Sequence, residues 1–90
     1  MKASIINKLK EINEKISNYL YMIEQAKQIN HRHEHSISIS ENNFFGIAEH
    51  YEGRIKINNK IIMRLSKRIR DLTSEQQKIL QKNIEIILPV

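Results

Sequence analysis

Three histidines at alternate positions, His31, His33 and His35, are the one grouping in this 90-residue chain with the character of a metal site or a proton relay. On a helix, His31 and His35 would stand one turn apart and share a ligand. On a strand all three would face one side, with Glu34 or His50 available to complete the shell. Against this, Arg32 sits inside the cluster and sets a positive charge where a cation would bind, and no HExxH or comparable spacing accompanies it. The dipole alone favours histidines at a helix C-terminus, and their titration near neutrality makes a proton-sensitive surface a further reading. The reading adopted is a solvated helix end, with no metal and no cofactor.

Other catalytic constellations are missing. The chain has no cysteine, which excludes disulfides, thiol nucleophiles and thiolate metal sites. It has no glycine-rich phosphate loop and no Ser-His-Asp set supported by local order. Helical chorismate mutases share the size and a three-helix plan, but they need arginines around an enclosed pocket, one near the middle of the first helix. This chain has Tyr19, Tyr21 and Met22 there and no arginine before Arg32, so the likeness is of dimensions only. The expectation is a protein that is not an enzyme.

Charge gives the stronger signal. Arg54, Lys56, Lys60, Arg64, Lys67, Arg68 and Arg70 follow one another with no acidic residue between them. At 100° per residue, Lys56, Lys60, Arg64 and Lys67 cluster opposite Ile55, Ile62, Leu65 and Ile69, with Arg68 and Arg70 alongside. The net charge is +5, with six basic and seven acidic residues in 1–53 against nine and three in 54–90. Such asymmetry calls for an anionic partner: an acidic protein face, a nucleic acid or a lipid surface. A cationic ridge can track phosphates, but helix-turn-helix spacing, interleaved aromatics and base-reading motifs are all missing. One-sided lysine and arginine also serves solubility. A membrane-surface role is weaker still, because the opposite face looks like a bundle seam without large aromatic anchors.

The elements that carry these residues read as helices. Ile5, Leu9, Ile12, Ile16, Tyr19, Ile23, Ala26 and Asn30 recur in alternating steps of four and three, the pattern of a coiled-coil seam, widened by Ile6 and Leu20. This predicts a helix over about 3–31. Residues 32–40 then read as a loop, because Ser36, Ser38 and Ser40 alternate with Ile37 and Ile39 and serine favours turns and caps. A second helix over about 41–72 would start either at Ser40, stapled by Ile39 and Phe44, or at a Ser38–Glu41 capping box. Its seam is Phe44, Ala48, Tyr51, Ile55, Asn58, Ile62, Leu65, Ile69 and Leu72. Asn58 is polar at a seam position, which suits a device for register or oligomer state, or a wet bundle end. Gly46 and Gly53 weaken the helix and read as fraying, or as a face closely approached by a partner. Residues 53–63 also admit a β-hairpin around Asn58–Asn59, which would give an α+β fold. A third short helix over about 74–87 is signalled by Thr73 or Ser74 as cap, Glu75 at the dipole and Gln76 closing a box with Thr73.

The fold expected is therefore all-α, one domain over 1–90: a long antiparallel helical hairpin with a short third helix, as a three-helix bundle or a dimeric helical bundle. Apolar residues are 40 % and charged residues 28 %, ordinary for a globular protein, and no apolar run approaches the roughly 18 residues of a membrane span. With no secretory signal at the N-terminus, the expected location is cytoplasmic. Usage rich in isoleucine, asparagine, lysine and glutamate suggests an AT-rich genome, as in many phages and mobile elements. The function expected is a small regulatory or adaptor protein that self-associates, as a homodimer, through Ile12, Ile16, Tyr19, Ile23, Ile55, Asn58, Ile62, Leu65 and Ile69. It would bind a protein with an acidic or apolar face through Lys56, Lys60, Arg64, Lys67, Arg68, Arg70, Phe44 and Phe45. The alternative is a nucleic-acid-binding protein contacting phosphates through 54–70.

Overall fold

No proline or glycine falls between Ala3 and Ser38, and the four-three apolar recurrence runs through the whole stretch, so nothing local opposes a long helix. A computed structural model, which describes residues 2–39 and 46–87, forms it as α1 (Ala3–Ser38) and sets beside it α2 (Ile47–Ile87). Among the described residues these two helices are the whole of the secondary structure, and no strand is present. The helices are antiparallel. Lys8 meets Glu75 near one end, Asn30 meets Asn58 and Asn59, and His33 meets Tyr51 toward the other. The result is a rod of 70 × 16 × 16 Å.

The seams face each other. Asn30 opposite Asn58 places Ile23 level with Leu65, Ile16 with Leu72 and Ile12 with Gln76. Ile12, Ile23 and Leu65 are buried, and no side chain among the described residues is completely sealed from solvent. A two-helix contact has only one layer of seam side chains to bury, so the apolar driving force is confined to that line.

Three expectations from the sequence are corrected. First, 32–38 is helix and not loop. The seam continues through His33 and Ile37, both half-buried. The serines return their hydroxyls to the helix: Ser36 Oγ donates to the Arg32 carbonyl at 3.0 Å and Ser38 Oγ to the His35 carbonyl at 2.7 Å. Ser38 thus stands in the last turn of α1, and Glu41, its expected capping-box partner, lies outside the described residues. Second, 53–63 lies within α2, so the β-hairpin and the α+β alternative fall.

Third, there is no separate helix over 74–87, and hence no three-helix bundle: α2 runs through Thr73 and Ser74 without a break. Glu75 and Gln76, read as helix-start residues, instead cross to α1. Glu75 pairs with Lys8 at 3.7 Å, and Gln76 Nε2 donates to Asn13 Oδ1. At the other end α2 begins at Ile47, and Gly46 stands just before it with φ +69°, a left-handed conformation suited to glycine. Ser40, Glu41, Phe44 and Phe45, and the cap, staple and partner roles expected of them, lie outside the described residues.

Candidate interaction surfaces

Lettering the repeat abcdefg with the seam at a and d locates every other surface. Lys8 and Glu75 are both g positions and form an ion pair, so the g flanks of the two helices meet along one edge of the rod. The e flanks meet along the other: Asn13 reaches Gln76, and Asn30 Nδ2 donates to Asn59 Oδ1 at 3.0 Å, with Asn13 and Asn59 both at e. The two edges carry different chemistry.

At the seam, Asn58 Nδ2 donates to Asn30 Oδ1 at 3.0 Å, which with the Asn59 contact makes a three-asparagine layer. Asn30 is buried and Asn58 half-buried. Asn83, also buried, donates to the Ile79 carbonyl at 2.7 Å. Among the described residues every buried side-chain polar atom has a partner. All nine residues expected to mediate self-association, from Ile12 to Ile69, lie on this α1–α2 interface within one chain.

The basic row of 54–70 is exposed along its length, and none of its members forms an ion pair among the described residues. Lys56, Lys60, Arg64, Lys67 and Arg70 occupy the outer b, c and f positions. Arg54 and Arg68 stand at g, on the edge. Arg68 lies over the Tyr19 ring at 5.9 Å and shares a groove with Lys15, Tyr19, Asp71 and Leu72. Arg54 lines a second groove on the same edge with Ile29, His33, Ile57 and Asn58.

The histidines are dispersed by the helix. His33 turns into the seam and packs on Tyr51 at 4.9 Å, which His50 meets edge-on at 5.5 Å. His31 lies outside, beside Glu24, Lys27, Gln28 and Arg32, and His35 is in the last turn of α1. Among the described residues no three His, Asp or Glu side chains converge as metal ligands would. No helix there is long and apolar enough to cross a membrane.

Met22 and Ile29 were not read as site residues from the sequence, whereas Arg54 was part of the basic row. The signal was present, since each is the g position preceding a seam residue, where a side chain stays half outside the interface. The site residues thus define a two-stranded antiparallel helical rod with a polar layer and two unlike edges. Comparison with protein families, curated proteins and solved structures finds no match to this chain.

Proposed function

We propose that this chain is a non-enzymatic helical adaptor or regulator that pairs with a second copy of itself and presents a cationic face to a protein partner. One observation carries the reading. Among the described residues the buried apolar core is Ile12, Ile23 and Leu65, whereas eleven large apolar side chains remain exposed. Two helices give each other a single neighbour, and a four-helix arrangement is the common way to cover the remaining flanks.

Ile6 and Leu20, 40 % and 53 % exposed, share the e edge, whereas Ile57 and Ile61 flank the g edge, so one two-fold contact cannot cover all four. The e edge mixes Glu24, Glu34 and Glu52 with Lys10, Lys27 and Lys56, which lets two copies meet without a like-charge clash. Light scattering on the eluting protein should give a mass of about twice the 10.7 kDa chain. A monomeric mass at the highest concentration reached would overturn the pairing. The partner should be captured after nuclease treatment and lost on charge reversal of Lys60, Arg64 and Lys67.

A second reading is favoured by the basic ridge of 54–70, which has no acidic partner among the described residues: phosphate contacts along a nucleic acid. It predicts binding to mixed-sequence DNA or RNA that falls steeply with salt and disappears in the same triple variant. No binding at low salt would remove it.

A further inference from the structure

We infer that the g edge of the rod is the docking groove for an acidic amphipathic helix of a different protein. This rests on the reading that the chain is a protein-binding module, and it gives that partner a chemistry. Met22 and Ile29 on α1 and Ile61 on α2 form an apolar row on this edge, extended by Ile57 one turn from Ile61. They are 49 %, 40 %, 40 % and 60 % exposed, although the rod is fully formed. Ile29 and Ile57 line a shallow groove together with Arg54, His33 and Asn58.

Arginines frame the row. Arg54 stands at one end and Arg68 at the other, its guanidinium held over Tyr19, and Arg64 lies one turn beyond Ile61. Charge decides the occupant. A second copy placed on this edge by a two-fold axis would set arginines near arginines around an apolar contact, where like charges oppose association. Nucleic acid would use the cations but leave the isoleucines in water, because a phosphate backbone offers them no apolar surface. An incoming helix with apolar residues in four-three spacing and glutamates beside them satisfies both features. Its oily stripe covers Met22, Ile29, Ile57 and Ile61, and its carboxylates take bidentate hydrogen bonds from the arginines. Met22 to Ile29 spans two turns, about 10 Å, enough to seat two apolar layers of such a helix.

The test is fluorescence anisotropy of a labelled synthetic peptide, leucines in four-three spacing flanked by glutamates, titrated with the full chain near physiological salt. A shuffled peptide of the same composition and a DNA duplex serve as competing probes. The expected result is saturable binding of the patterned peptide, weakened roughly tenfold or more by Ile57→Gln and by Arg54→Gln with Arg68→Gln. The shuffled peptide should bind at least about tenfold less tightly. No binding of the patterned peptide, equal binding of the shuffled one, indifference to Ile57→Gln, or preference for the duplex would each overturn the assignment. Mass measurement separates this failure from that of the adaptor reading. If Ile57→Gln remains a dimer and still captures a protein partner, the groove assignment falls and the adaptor stands.

Discussion

Asn30 shows how one polar side chain settles alignment where apolar ones cannot. Isoleucine and leucine pack acceptably at several registers of two long helices, but Asn30 finds Asn58 and Asn59 together at only one. Asn30→Ala would remove the partner of half-buried Asn58 and of exposed Asn59, and we expect a loss of about 1 kcal/mol in urea unfolding. The double replacement Asn30→Leu with Asn58→Leu should instead be neutral or stabilising, with the register less sharply defined, which cysteine cross-linking along the seam would reveal. A double variant as unstable as the single one would disprove this account of the layer. Both asparagines were visible in sequence at seam positions. Their pairing was not, because it depends on how the chain between the helices aligns them. Gly53 is the opposite case: a Cβ added there meets nothing within 4 Å. Gly53→Ala should raise stability by roughly 0.5–1 kcal/mol, whereas Gly46, at φ +69°, should tolerate alanine poorly.

At the scale of the element, the seam was legible and its extent was not. Every seam residue named between Ile5 and Leu72 that the structure describes faces the other helix, because a four-three recurrence leaves a helix little other way to bury its apolar side. The misreading came where polar residues occupy seam positions. His33, Gln76 and Asn83 continue the phase but look like interruptions, and Thr73-Ser74-Glu75-Gln76 offers a local start signal. A cap is worth about 1 kcal/mol. Breaking a long helix forfeits backbone hydrogen bonds and the alignment of everything beyond, including Glu75 with Lys8. Proline at Ser74 distinguishes the two outcomes. At the first position of a new helix it would be harmless, but inside α2 it removes a hydrogen bond and clashes with the preceding turn. Ser74→Pro should therefore cost about 3 kcal/mol or more, read as lost ellipticity and a lower melting temperature. An unchanged melt would restore the separate third helix.

For the whole molecule, unequal edges matter more than net charge. A rod 16 Å across with exposed apolar residues on two flanks has to cover them differently if one flank repels its own copy. The e edge, with Ile6 and Leu20 among balanced charges, suits self-pairing. The g edge, with Met22, Ile29, Ile57 and Ile61 among arginines, suits an acidic partner. Sequence alone exposed the apolar surplus and the basic row, but only the antiparallel packing assigns each residue to a flank. The assignment predicts a clean dissociation of two losses. Leu20→Glu, at a position already 53 % exposed, should leave the rod helical and yield a monomer by light scattering, with peptide binding retained. Ile57→Gln should keep the dimer and lose the peptide. Raising salt should weaken the second interaction more than the first, because only the second depends on unneutralised cations. If either substitution abolished both properties, the two edges would be acting as one continuous interface, and the assignment of separate occupants would fail.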